Sequence, residues 1–503
     1  MEQAYISTTA IAITGSVDSG KSSFIGVISS NGKQLDDGKG LARLTVAKHE
    51  HERESGKTSD ISTRSIKIPE NNNAISIIDL CGHERYLHTT AFGLSGYYPD
   101  YAFVIVSANN GVLSYTANEN PRVLPMTEQH MRILWSLNIP ICVIITRIDV
   151  APVEIYKITK KGVENMINQF YGKTAEVFFT NNETHLAKTD EELAPLKDKI
   201  KKDVVVALSK IENGRQRYFP VITISNKTGF FIDVVIDIVK NLPPRKLWAC
   251  IDEKYLTSNK FVSHFIAGLK EKKMEHLIKP YQPFNGSIFY IDNVFAPQGI
   301  SLVITGINRG SDILTGNSLY IGPINNNFVE FKVKTMHNNI KELIPVLKDH
   351  YRGTIQMGFQ AKSIVRRNQI KKGMIAISSL SLKSNVCYRC EVILTFFSKS
   401  VTVKTGYSPV IHMGTIRQSV RIIIDPEKNN GANFVGFTGK QKNFAIATIK
   451  FMNNPEYVEP YSIFLIRNGG VHGIGMVLNT LPIEQDNDAK PDDFKIKFRS
   501  KAT

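Results

Sequence analysis

The chain is poor in cysteine: Cys81, Cys142, Cys250, Cys387 and Cys390 are its five, scattered and odd in number over 503 residues. That usage excludes a disulfide framework and suits a reducing compartment. Cys387 and Cys390 form a lone CxxC without a second pair or a nearby histidine cluster, so two buried thiols on a strand are expected rather than a zinc site. No run of about 18 apolar residues is present, and no bilayer span is expected. The opening Met-Glu-Gln-Ala-Tyr-Ile lacks a basic segment leading into an apolar one, so no signal peptide is expected. Internal repeats and low-complexity tracts are also missing.

What is present is a soluble, globular composition, 42% hydrophobic and 21% charged. Its length exceeds what one core supports, so two to four domains are expected. The net charge of +16 is unevenly divided. Residues 1–245 hold 28 Lys+Arg against 27 Asp+Glu, whereas the remaining 258 residues hold 34 against 19. A neutral first part joined to a basic remainder points to a polyanion meeting the later domains.

Short apolar runs at residues 9–15, 74–79, 102–107, 141–146 and 221–225 read as buried parallel strands. Helix-length stretches at 21–29, 84–94, 127–137 and 232–242 alternate with them. The pattern predicts an α/β unit over 1–245, with a mostly parallel sheet covered on both faces. Residues 151–217, rich in Lys, Glu and Asn, read as a mostly helical, exposed insertion. Pro243-Pro244 closes the unit. A linker over 246–280 contains the amphipathic, basic segment 261–277, which is a partner-binding helix, a basic surface helix or a packing element across the junction. From 281 the runs shorten and are punctuated by Gly, Asn and Pro. Two all-β barrel domains are expected, over 281–383 and 384–483, followed by a disordered tail at 484–503.

The chemistry is concentrated at the ends of the first strands. Gly15-Ser16-Val17-Asp18-Ser19-Gly20-Lys21-Ser22 matches GxxxxGK[ST] between a strand and a helix. Its backbone N–H groups, with that of Ser23, suit phosphates at a helix N-terminus. Lys21 would reach the β- and γ-phosphates, and Ser22 would ligate Mg²⁺. Asp79-Leu80-Cys81-Gly82 ends the next strand; Asp79 is a second candidate for Mg²⁺ and Gly82 for the γ-phosphate. His83 follows at once, where it could orient the attacking water. Between these motifs lies a polar segment in which Thr58 is the candidate for a further Mg²⁺ ligand that senses the γ-phosphate, with Ser55, Ser59 and Thr63 as rivals. Thr146-Arg147-Ile148-Asp149 follows an apolar strand as a guanine-reading element should: Asp149 would accept two guanine donors that adenine does not present together. Ser225-Asn226-Lys227 fits the remaining guanine-contacting loop. GTP and GDP are the expected ligands.

The GSVDSGK sequence at residues 15–21 and Asp79-Leu80-Cys81-Gly82-His83-Glu84 resemble the corresponding motifs of the translational GTPase superfamily, the elongation factor Tu-like proteins. Within it, the likeness is to the eukaryotic GTP-binding protein 1 and 2 group, through residues 51–59, 82–93, 414–418 and 455–457. The resemblance implies a P-loop G domain followed by two β-barrels and a GTP-hydrolysing switch with Mg²⁺. Thr58 would be the switch threonine and His83 the water-placing residue, with Lys21 completing the catalytic set. It further implies a cytoplasmic, monomeric protein that meets the ribosome, tRNA or other RNA. Arg147 departs from the usual lysine, and Ser19 stands where elongation factors carry histidine. Two other readings stay open: a GTPase subunit driving a partner enzyme, as in sulfate activation, and a nucleotide-occupied scaffold in RNA decay or ribosome surveillance.

Overall fold

The computed structural model describes residues 6–46, 60–68, 73–113, 120–212, 215–245, 260–277, 285–360, 365–397, 403–429, 431–432, 434–435 and 444–483. Thr58 with its rivals Ser55 and Ser59, the linker residues 246–259 and the tail after 483 lie outside them.

The first unit is built on seven strands: β1 (Ile6–Gly15), β2 (Ser62–Ile68), β3 (Asn73–Asp79), β4 (Tyr101–Ser107), β5 (Ile141–Thr146), β6 (Glu176–Phe179) and β7 (Tyr218–Thr223). They lie in the order β2-β3-β1-β4-β5-β7-β6, with only β2 running antiparallel to its neighbour. The central strands are apolar throughout because helices cover both faces; every residue of β4 is buried. One face carries α1 (Lys21–Ser29), α6 (Asp190–Ser209) and α7 (Ile232–Asn241), packed through Phe24, Ile200, Val204 and Val235. The other carries α3 (Leu87–Gly96), α4 (Pro125–Ser136) and α5 (Val153–Tyr171), packed through Ala91, Met131, Leu134, Tyr156 and Ile167. A short helix, α2 (Leu41–Leu44), sits on α1.

Two expectations change here. Residues 151–217 are largely helical, yet they are not an exposed appendage. α5 buries Tyr156, Val163, Met166 and Ile167, α6 buries Leu193, Ile200, Val204 and Leu208, and β6 adds the last parallel strand. The charged residues that suggested exposure occupy only the outer helical faces. Strand β2 was also not foreseen, because Ser62–Ile68 mixes polar and apolar residues as an edge strand does.

The first barrel closes through β8 (Ser287–Phe295), β9 (Val303–Gly310), β10 (Ser318–Ile324), β11 (Asn327–His337), β12 (Arg352–Gly358) and β13 (Ile375–Ile377), in the cyclic order β10-β13-β8-β9-β12-β11. The second does so through β14 (Val386–Phe396), β15 (Val410–Met413), β16 (Ile416–Ile424), β17 (Ala445–Phe451), β18 (Ile463–Asn468) and β19 (Gly470–Pro482), in the order β17-β16-β15-β18-β19-β14. Cys387 and Cys390 are both buried in this barrel's core. A register shift in β14 between Cys387 and Arg389 lets residues three apart share the inner face.

The three units touch one another. Asn339 Nδ2 donates to Ser76 Oγ at 2.9 Å between the first barrel and the α/β unit. Arg309 and Glu459 form a buried ion pair between the barrels, and Tyr457 Oη donates to the same carboxylate at 2.8 Å. Helix α8 (Lys260–Glu271) places Phe261, Phe265 and Leu269 against Ile446, Ile474 and Met476 of the second barrel. Its Phe261 ring meets Trp135 of α4 edge-on at 5.0 Å. Of the three readings open for this segment, the geometry is that of a packing element across the junction. No helix among the described residues is long and apolar enough to cross a membrane.

Candidate functional site

The loops at the carboxyl ends of β1, β3, β5 and β7 meet at one end of the parallel sheet, where ligands of open α/β sheets bind. The loop after β1 turns tightly because Gly15, Asp18 and Gly20 all take positive φ. At Gly15 a β-carbon would lie 2.3 Å from Ile105 O, so only glycine fits. Ser19 Oγ donates to Ser16 O at 2.9 Å and braces the turn. Lys21, the first residue of α1, is buried and donates from Nζ to Ser16 O at 2.6 Å. Burial lowers its pKa to about 8, against the opposing pull of Asp79 and Asp18. A phosphate beside Nζ would reverse that shift by supplying charge in place of solvent.

The segment after β3 lies directly on this loop. A β-carbon at Gly82 would sit 2.4 Å from Lys21 Nζ and 2.9 Å from Gly15 O. Asp79 is 2% exposed at the strand end. His83 caps the turn Glu84–Tyr86: its Nδ1 accepts from Arg85 N at 3.1 Å. The neutral ring therefore carries its proton on Nε2.

The loops after β5 and β7 hold the P-loop from the other side. Thr146 Oγ1 donates to Ser19 O at 2.7 Å, and Asn226 Nδ2 reaches Gly20 O at 3.5 Å. Ser225 Oγ accepts from the N–H groups of Lys227 and Thr228 at 3.2 and 3.1 Å, fixing that turn. Arg147 takes a left-handed φ of 62°. Asp149 is half-buried in the turn that follows β5.

These pieces surround a cavity of about 190 Å³ whose lining includes Val17, Asp18, Gly20, Lys21, Ser22 and Ser23. Gly82, His83 and Arg147 complete that part of the wall. Gly15, Ser16, Ser19, Asp79, Thr146, Asp149 and Ser225–Lys227 are not among its lining residues.

Two contributors were missed in the sequence. Residues 36–43 supply the remaining wall through Asp36, Gly38, Lys39, Gly40 and Arg43; the closely spaced Gly38 and Gly40 were the available signal. The second is His130 on the buried face of α4. Its Nδ1 accepts the N–H of Gly15, 115 residues away, at 3.2 Å. Burial, with the nearby Lys21 charge, pushes its pKa down to about 3, so it stays neutral. A single histidine on an apolar helical face carries no local signature of such a role.

Residues 7–245 match the elongation factor Tu GTP binding domain family. This G domain and the two barrels together are similar to GTP-binding protein 1 of Xenopus laevis, 26% identical over 522 aligned positions that cover 98% of this chain and 67% of the relative. Human GTP-binding protein 2 is likewise 26% identical, with 94% of this chain and 69% of the relative covered. The fold is that of translation elongation factors. A bacterial selenocysteine-specific elongation factor superposes with a TM-score of 0.57 at 16% identity, covering 94% of this chain, which spans only 58% of the factor. Elongation factor SelB of Methanococcus maripaludis, solved with the GTP analogue GppNHp, gives 0.56 at 16% identity, with 96% and 81% covered.

Proposed function

We propose that the chain is a GTP-hydrolysing switch of the translation elongation factor type, acting on the ribosome, tRNA or an associated RNA. The observation that carries this reading is the convergence of Lys21, Ser22, Gly82, His83 and Arg147 on one cavity at the carboxyl end of the sheet. Asp149, in the turn after β5, would read guanine through its two adjacent donors, and Ser225–Lys227 would border the base.

The donor chemistry also fits Mg²⁺. Ser22 offers a hydroxyl at the cavity wall and Asp79 a buried carboxylate. Two hard oxygens with room for phosphate oxygens and water are what Mg²⁺ takes in nucleotide sites. Bound there, it would neutralise charge on the β- and γ-phosphate oxygens. Lys21 would exchange its bond to Ser16 O for one to those phosphates. Thr58 remains the proposed third ligand and γ-phosphate sensor. With Nδ1 engaged, His83 offers Nε2–H as a donor; it would hold the attacking water by donating to it rather than by taking its proton.

RNA as the target is supported by charge placement. Arg421 of β16, Lys450 of β17 and Arg389 of β14 are direct register partners across three adjacent strands. No feature of the described residues favours a sulfate-activation subunit or a scaffold. The test is GTP turnover with and without ribosomes for the wild type and His83→Ala. Ribosome-stimulated turnover should fall sharply in the variant; undiminished stimulation would overturn the assigned role.

A further inference from the structure

Residues 36–43 supply part of the cavity wall, and this segment is fastened at both ends. At its start, Asp36 N donates to Asn226 O at 2.9 Å. A β-carbon at Gly38 would touch Lys227 Cδ at 3.5 Å. In its middle, Asp37 Oδ1 accepts from Lys39 N and Leu41 N at 2.7 and 3.0 Å. At its end, Asp36 Oδ1 accepts from Ala42 N at 3.0 Å. Ala42 then packs so closely on Gly26 of α1 that a β-carbon at Gly26 would lie 2.2 Å from Ala42 O. The short helix α2 therefore has a fixed seat.

From that seat Arg43 lines the cavity. Its guanidinium lies over Gly40, where a β-carbon would meet Nε at 3.5 Å and Cζ at 3.6 Å. Nε is buried and meets no hydrogen-bond acceptor among the described residues. A buried guanidinium N–H without an acceptor is costly, and the planar fork matches phosphate oxygens. Lys21, Lys39, Arg43 and Arg147 line the cavity together with Asp18 and Asp36, and one oxygen of the Asp36 carboxylate accepts from Ala42 N.

We propose that Arg43 is a nucleotide-contacting residue that binds the α- and β-phosphates, in cis, from the 36–43 wall. The wall is tied to Asn226 and Lys227, at the base-reading end of the site, and among the described residues it makes no hydrogen bond to the Gly82 end that would meet a γ-phosphate. The contact therefore serves GDP and GTP alike and acts in nucleotide retention rather than in sensing hydrolysis. This inference rests on the nucleotide reading above.

The test is binding of fluorescent GDP and of a non-hydrolysable fluorescent GTP analogue to the full chain. Wild type, Arg43→Ala and Arg43→Lys are compared, with dissociation rates measured beside affinities. Loss of a charge-assisted phosphate contact should weaken both nucleotides by the same factor, about 10- to 100-fold, chiefly through faster release. Lysine should restore part of it. Unchanged affinity, or a loss confined to the GTP analogue, would overturn the assignment while leaving the nucleotide reading intact. A wild type that binds neither nucleotide would overturn the reading itself. Should Arg43→Ala melt early, Arg43→Gln, which keeps the stem over Gly40, gives the same discrimination.

Discussion

His130 offers a sharp test of how the G domain holds its phosphate loop. Replacing it with leucine removes the acceptor for Gly15 N–H, in a site with no exposure to water. A buried donor left without its partner costs about 1–3 kcal/mol. Gly15 opens the P-loop, so the cost should appear in nucleotide binding as a roughly 5- to 150-fold weaker Kd. Asparagine places Oδ1 near the position of Nδ1 and should recover most of that loss. Calorimetric titration of GDP into the wild type, His130→Leu and His130→Asn reads both outcomes. Leucine within two-fold of the wild type, or asparagine no better than leucine, would refute the argument and reduce His130 to core filling.

The same residue makes a pH prediction. Its folded pKa of about 3 lies below the ordinary 6.5, so the unfolded chain takes up the proton first. The stability it contributes is complete above pH 6.5 and is lost as pH falls from there toward 3. Between pH 7 and pH 5 one such histidine removes about 2 kcal/mol. Urea unfolding of His130→Asn should show that much less pH dependence than the wild type, and equal slopes would count against a neutral buried ring. His412, buried on the second barrel and also lowered to about 3 by burial and neighbouring arginines, should add a similar loss.

Gly82→Ala puts a β-carbon 2.4 Å from Lys21 Nζ and 2.9 Å from two P-loop backbone atoms. Overpacking of that kind costs about 1–3 kcal/mol, so calorimetry should show weaker GTP binding, and wild-type affinity would contradict the observed packing. Asp149→Asn should lose guanine nucleotides and gain xanthine nucleotides, because the amide offers a donor to the xanthine carbonyl; competition binding with both triphosphates checks it. Phe261→Ala removes the ring that meets Trp135 at 5.0 Å. A buried Phe→Ala change is worth about 3–5 kcal/mol, enough to loosen the second barrel from the G domain, and small-angle scattering should register a larger radius of gyration.

Much of the site was legible because its chemistry is local. GSVDSGKS needs only to follow a strand and open a helix for its backbone amides to converge, and residues 15–22 do both. Apolar runs announced the central strands because burial on both faces leaves no alternation. Amphipathic elements were harder. The charged outer faces of α5 and α6 hid the inner faces that carry Tyr156, Met166, Ile200 and Val204, so 151–217 read as an exposed insertion instead of sheet cover.

The sequence by itself determined a P-loop α/β unit with a basic, all-β remainder, and named Lys21, Ser22, Asp79, Gly82 and Asp149 as its candidates. Only tertiary structure decided what stands around them. His130 reaches Gly15 across 115 residues, and the 36–43 wall gains its orientation from Asn226 and Gly26. The segment 261–277 becomes an interdomain packing element because Trp135 and the second barrel are there to receive it. A short motif specifies contacts whose partners are neighbours in the chain; contacts between distant residues depend on how the whole sheet, its helices and the barrels come together.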